Sequence, residues 1–381
     1  MKIAIMMRAI DQDSGFRHYI ENLVEHMLRV DQKISYLLLY RTTKWLGRFA
    51  SFKNAKEVLL KAPHKFIWDQ VAVAIRAWKE GVDIIFNPKF SVPLMSHCPV
   101  AMGIVEPGWW VWPSHYEWVD RHYIKTMLPL YCRKSAHMFP VSNFVIDENK
   151  KYLGLPFTNT TIAYPAPKEY FRPMKDPVEL EEFRVKYRLP ERFILSVTRV
   201  DHPGLDKSIS FHPGKNVDTT LRSFSLCRNN IPHKLVIAGR QVREYLLHVG
   251  WKNSDFEDIH FLGFVQPEEM PKLYNLAQLF ILPSFYEGFG FTLVEAMACG
   301  CPSIASRAGA CPEVGADAVL FADPNDPADF AEKIMLVIKN ENVRQELKSK
   351  GLQRAAFFSW ERTAKDVLEA LIQVVEKSRN K

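Results

Sequence analysis

The chain has 381 residues, 24% charged and 47% apolar, which allows two ordinary domains with full cores and excludes a disordered tail-like protein. Its formal charge of +7 lies wholly in residues 1–170, where 22 Lys and Arg stand against 15 Asp and Glu; that half is expected to meet something anionic, although no nucleic-acid-binding module accompanies it. No apolar run is long enough to span a bilayer and Met1-Lys2-Ile3-Ala4 opens a strand rather than a signal peptide, so a cytoplasmic protein is expected.

Taken in order, the first half alternates short apolar runs with amphipathic stretches. Lys2–Met6, Ser35–Leu39, Asp83–Phe86, Val100–Val105, His137–Pro140 and Thr160–Ala163 read as strands, and Tyr19–Val30 and Ile67–Lys79 as helices. Such alternation predicts a parallel, doubly wound sheet. Between the first strand and its helix, Ser14 has the character of a cap and Gly15 gives the loop freedom to approach a ligand. Residues 41–66 carry seven Lys and Arg against Glu57 alone, interleaved with Trp45, Leu46, Phe49, Phe52, Leu59 and Leu60. That pattern fits either a peripheral contact with an anionic membrane or a solvated helix whose apolar side faces the core.

Glu106-Pro107-Gly108-Trp109-Trp110-Val111-Trp112-Pro113, with His115 and Trp118 beyond, is the most aromatic part of the chain. Pro107 and Gly108 predict a loop at a strand's C-terminal end, where α/β proteins place their sites. Tryptophan faces stack well on sugar rings, so Trp109 and Trp110, with Glu106 and His115, are candidates for a platform that holds such a ring, with packing under a helix as the other reading. Prolines at 165, 167, 173 and 177 mark a linker, giving expected domains of 1–172 and 173–360 and a closing helix over 361–381.

The second half repeats the alternation, with strands expected at Phe193–Val197, Lys234–Ala238, Ile259–Leu262, Leu279–Leu282, Ser303–Ala305 and Ala318–Phe321. Thr198-Arg199 follows the first of these, and Gly214-Lys215-Asn216 opens a helix. Between them, residues 201–213 hold His202, His212, Asp201 and Asp206, without a regular ligand spacing; they read as an insertion. The six cysteines are scattered, and Cys299, Cys301 and Cys311 lack a fourth ligand at zinc-finger spacing, so buried thiols are expected.

The densest signal is SFYEGFGFTLVEAMACGCP, residues 284–302. A buried-type strand stops at Pro283 and Ser284, and helical spacing resumes at Leu293, Val294, Met297 and Ala298. Glu287-Gly288-Phe289-Gly290 is thus a strand-to-helix turn, with Phe291 opening the helix and Glu295 about one turn inside it. Glycines let backbone approach a ligand, and the helix start favours an anion. Two carboxylates on either side suit a diphosphate with a sugar at each end; the same residues also suit plain α/β architecture.

This run resembles the E-x7-E signature of family 4 glycosyltransferases, retaining enzymes of GT-B fold. The resemblance implies an α/β protein of two Rossmann-like doubly wound domains facing across a cleft. It implies transfer of a hexosyl group from a nucleotide-diphosphate sugar, with UDP or GDP as nucleotide, to a saccharide or lipid-linked saccharide. By carry-over Glu287 touches the donor hexose, Arg199 and Lys215 neutralise its diphosphate, and Glu295 holds the ribose. Gly288, Phe289, Gly290 and Phe291 line the donor, Gly15 faces the diphosphate and Phe264 lies near the base. No cofactor and no catalytic metal are implied. The chain departs from the family at Val105-Glu106, where relatives often carry a His-Asp pair. An epimerase or hydrolase of the same fold, or a binding protein without catalysis, are the alternatives. No G-x-G-x-x-G follows Lys2–Met6, which argues against a nicotinamide-dependent dehydrogenase.

Overall fold

The computed structural model describes residues 1–12, 15–201, 210–211 and 213–380. The chain forms two compact units, one of Met1–Pro113, Trp118–Pro165 and Ser359–Lys381, the other of Ser114–Glu117 and Ala166–Phe358.

The first unit is a six-stranded parallel sheet built from β1 (Lys2–Met6), β2 (Ser35–Tyr40), β3 (Ala55–Leu59), β4 (Ile84–Asn87), β5 (Val100–Ile104) and β6 (His137–Pro140). Their spatial order is β3-β2-β1-β4-β5-β6. Strands covered on both faces read as unbroken apolar runs, and β1, β4 and β5 are buried almost throughout. Ile3 pairs in register with Tyr36 on one side and Ile84 on the other. The closing helix Trp360–Arg379 packs on helix Gly15–Val30 through Trp360 and Tyr19, whose ring centroids are 5.7 Å apart. Thr363 Oγ1 donates to the Tyr164 carbonyl at 2.6 Å, and Arg379 reaches Asp83.

Three expectations need correction here. Within 41–66 the structure places no helix before Lys65; the regular element there is the edge strand β3, where Lys56 and Glu57 interrupt the apolar pattern as edge strands commonly do. Thr160–Ala163 is not a full strand. It runs beside β6, with Thr161 and Ala163 N–H groups donating to Met138 and Pro140, but forms only the bridge Met138–Thr160 before Pro165 ends it. Trp109 and Trp110 sit not on an open loop but in a one-turn helix, Gly108–Val111, with Pro107 ahead of it.

The second unit holds β7 (Phe193–Val197), a small antiparallel pair β8 (Val200–Asp201) and β9 (Ser210–Phe211), then β10 (Lys234–Ala238), β11 (Ile259–Gly263), β12 (Leu279–Leu282), β13 (Ser303–Ser306) and β14 (Leu320–Ala322). Its parallel sheet has the order β11-β10-β7-β12-β13-β14, the same winding as the first. Leu235, Ile281, Ile304, Phe330 and Ile334 belong to one core cluster on one face of that sheet. Five of the six cysteines are buried and all six are free. Burial pushes the Cys311 thiol up to about 12, as suits inert packing groups.

In both units the first strand lies between the second and the fourth. The winding reverses there, so the loops after strands one and four splay apart and leave a crevice at their C-terminal ends.

Candidate active site

In the second unit that crevice lies beyond β7 and β12. Leaving β12, the chain passes Pro283 and buried Ser284 and reaches Glu287 before helix Phe291–Ala298 begins. Glu287 Oε1 accepts hydrogen bonds from Ser284 Oγ at 2.7 Å and from Lys215 Nζ at 2.8 Å. Lys215 ends a short 3₁₀ turn, and the next residue, Asn216, caps helix Val217–Cys227 from a left-handed conformation with φ 48°. Asn216 Nδ2 donates to the carbonyls of Pro283 and Pro324, both at 2.8 Å, and Phe285 N–H donates to Gly214 O. This buried amide therefore ties the lysine's loop to the end of β12. The cation and carboxylate meet because their backbones are fastened together.

The backbone of Glu287 is held from the other side. Gly309, at φ +60°, packs so close that a Cβ there would lie 2.6 Å from Glu287 N, and Ala310 N–H donates to Glu287 O at 2.9 Å. Gly290 caps the helix at φ 95°, a conformation a side chain resists. Of the turn residues, Gly288 and Gly290 are buried and offer backbone. Phe289 turns its ring inward, edge-on to Phe291 and Phe358, so its contribution to a ligand would come from its N–H. The first N–H groups of a helix have no partner within it, and they carry the positive end of its dipole.

Glu295 is half-buried, and the Tyr274 hydroxyl donates to its Oε2 at 3.3 Å. Desolvation raises its pKa to about 8, against the opposing influence of Tyr274 and Lys168. Arg199 is exposed just beyond β7. Beside it Thr198 is buried and closely approached by Gly239, where a Cβ would stand 2.4 Å from the Thr198 carbonyl. On the neighbouring strand ends the Arg240 guanidinium lies 4.0 Å over the ring of Phe264, which is exposed. The structure thus joins Lys215 to Glu287, and places Arg199, Phe264 and Glu295 on other segments of the same unit. Asp201 pairs with Ser210, while His202, Asp206 and His212 of the insertion lie outside the described residues.

The first unit's crevice, beyond β1 and β4, carries charges that no local sequence pattern announced. Arg8 grips Asp69 with two bonds of 2.9 Å, and Ser91 Oγ donates to the same carboxylate at 3.1 Å. Ser91 sits at φ 142°, held by the Asn87 side chain on its carbonyl and hydroxyl. Lys89 donates to Gln12 and lies 4.6 Å from the ring of Phe16 and 5.3 Å from that of Phe90. Burial and the nearby Arg8 bring its pKa down to about 8, partly countered by Glu106. Trp109 stands edge-on to Phe90 at 4.8 Å, so Glu106 and Trp109 do gather at this crevice with Lys89. Trp110 lies instead under Lys125. His115, beside Tyr116, falls in the stretch grouped with the second unit. Gly15 begins helix Gly15–Val30, and Asp13 and Ser14 lie outside the described residues.

Residues 208–354 match the family model described as Glycosyl transferases group 1. The chain is 33% identical over 172 residues to the O-antigen chain mannosyltransferase B of Escherichia coli, 42% of this chain and 43% of that protein. It is 26% identical over 250 residues to the serotype-specific mannosyltransferase WbdA of the same organism, 64% of this chain and 29% of that one. The chain thus spans less than half the length of these relatives, which are glycosyltransferases. The structure of Anabaena Alr3699/HepE in complex with UDP and glucose matches with a TM-score of 0.70 at 15% identity, covering 97% of this chain and 99% of that one. With two parallel sheets of identical winding, this establishes the fold as GT-B.

Proposed function

We propose that this chain is a retaining glycosyltransferase of family 4 type that moves a hexosyl group from a nucleotide-diphosphate sugar to a saccharide or lipid-linked saccharide. The observation that carries the reading is the fastening of Lys215 to Glu287 at the mouth of β12, beside the start of helix Phe291–Ala298. Lys215 donates one hydrogen bond to Glu287 and keeps its positive charge. Through that bond the ammonium is held beside the turn that leads into the helix, so a diphosphate there would meet a cation and a helix dipole together. As the glycosidic C–O bond breaks, charge builds on the leaving phosphate, and Lys215 with Arg199 stabilises it. Glu287, fixed by Ser284 and Lys215, positions the hexose. Glu295 takes the ribose hydroxyls, Phe264 and Arg240 flank the base, and Glu106 with Trp109 meets the acceptor. The chain needs no metal in this scheme, because side-chain cations carry the role.

The test is binding and turnover of UDP-, GDP- and ADP-sugars, mannose donors first because the E. coli relatives are mannosyltransferases. The assay is run with and without a chelator. One donor should bind selectively, bind at least about tenfold more weakly to Glu295→Ala, and react equally in the chelator. Binding by none of them would sink the reading.

Glu295 makes that binding pH-dependent. Its folded pKa of about 8 stands above the unfolded carboxyl value, so the folded state keeps the proton more tightly, and stability falls as pH rises from about 4.5 to 8. Ribose hydroxyls donate best to the ionised carboxylate, so donor binding has the opposite trend. Affinity for the nucleoside diphosphate should rise about tenfold between pH 7 and pH 9 and then level off. In Glu295→Gln that rise should vanish. Calorimetric titration at the two pH values decides it, and an equal rise in the variant would remove Glu295 from the ribose.

A further inference from the structure

The helical run Lys65–Lys79 is apolar on both sides, which a helix on a solvated surface seldom is. Trp68, Val73 and Ala77 are buried. On the outside Phe66, Ile67, Val71, Ile75 and Trp78 are 39% to 65% exposed, and the last four follow one another at helical spacing. Helix Trp118–Lys134 lies alongside. The Tyr123 ring meets Phe66 edge-on, and Lys65 pairs with Asp120. Val119, one turn before Tyr123, is 65% exposed, and Trp118 beside it 64%. In the second unit Val178 and Val185 share one helix, whereas Leu226 is the one large exposed apolar side chain of helix Val217–Cys227 among the described residues. A contiguous patch of this kind marks an interaction surface.

The charges around it choose the occupant. Residues 61–80 hold four cations and two acids, Asp69, which is buried against Arg8, and Glu80, which pairs with Arg76. Helix Trp118–Lys134 holds four more cations, and its one acid, Asp120, is taken by Lys65. Lys61, Lys79, Arg133 and Lys134 are exposed. A second copy of this chain docked face to face would set these cations against themselves. In the more obvious basic stretch ahead of them Phe49 is buried, Lys56 pairs with Glu80 and Arg48 approaches Glu21, and its exposed lysines Lys44 and Lys53 are accompanied by one large exposed apolar side chain, Leu46.

We infer that this two-helix face seats the chain on an anionic lipid bilayer. Val71, Ile75, Trp78 and Val119 enter the boundary between headgroups and acyl chains, and the surrounding lysines and arginines sit at lipid phosphates. Trp78 and Trp118 are amphipathic rings suited to that depth. Among the described residues no helix is long and apolar enough to cross a membrane, so the contact lies in the surface plane. The inference stands on this surface alone and does not depend on which sugar the chain transfers.

The experiment is co-sedimentation of the full chain with vesicles of phosphatidylglycerol and phosphatidylethanolamine, against vesicles of phosphatidylcholine alone. The chain should partition onto the anionic vesicles, and less so at raised salt. Val71→Glu/Ile75→Glu should lower partitioning at least about tenfold with an unchanged melting temperature. Leu226→Glu, an exposed apolar position of the second unit, should bind vesicles as the wild type does. Equal partitioning by the double variant, or none by the wild type, overturns the inference. So does a wild-type dimer that the double variant turns into a monomer while vesicle binding persists, since the patch would then cover a second copy.

Discussion

Lys215→Ala is expected to lower turnover of the bound donor by about 10²- to 10³-fold while the chain stays folded. Two roles for this lysine have to be separated, because its ammonium is already bonded to Glu287. As a structural counter-ion it only neutralises a half-buried carboxylate; as a catalytic cation it also meets charge that appears on the departing phosphate. The first role matters equally in the free protein and the transition state, the second only in the transition state. Lys215→Ala/Glu287→Gln removes the charge left behind, so it should recover stability lost by Lys215→Ala alone. It should recover little of the turnover, and the two losses should combine to less than their product because the groups act together. Single-turnover rates at saturating donor, read beside melting temperatures, make the distinction. A Lys215→Ala protein within about threefold of wild type would leave the leaving group without its cation and discard the assignment.

How much of this site was readable beforehand follows from what is local. The strand β12 and its turn announced themselves because a fully buried parallel strand is a continuous apolar run, and its stop falls on Pro283-Ser284. Glu287 and Glu295 could be placed because they share one turn and one helix. That Lys215 bonds Glu287, 72 positions away, rests on Asn216 reaching Pro283 and Pro324, a contact with no local signature. The first unit was less legible for the same reason. Arg8, Lys89 and Asp69 are isolated charges at strand ends and on a helix, and the crevice brings them together only once β1 and β4 lie side by side. β3 escaped notice because a Lys-Glu pair sits in its middle, the habit of an edge strand and equally of a loop. Ile67–Lys79 was legible as an amphipathic helix, but its periodicity did not show that the run carries a second apolar face left uncovered.

Gly309→Ala tests whether the placement of Glu287 is what matters, without touching any charge. At φ +60° an alanine costs about 1–2 kcal/mol on backbone grounds alone. The larger obstacle is that the new methyl would stand 2.6 Å from Glu287 N and 2.8 Å from Glu287 O, backbone atoms that cannot swing aside as a side chain would. Glu287 must therefore shift, and misplacing a reacting group by about 1 Å is enough to cost about 10²-fold in rate. Gly300→Ala supplies the control. Its φ of +73° imposes the same backbone strain, yet the nearest atom its methyl would meet is the Lys348 Cε at 3.3 Å, on a flexible chain. Both variants should melt at lower temperature than the wild type. Only Gly309→Ala should lose turnover when assayed well below its melting point, with the loss in kcat and little in donor affinity, since Glu295 and the helix start are untouched. Equal loss by both would mean that strain in this unit, and not the seat of Glu287, limits the reaction. Full activity in Gly309→Ala would mean that Glu287 need not sit where Gly309 and Ser284 hold it.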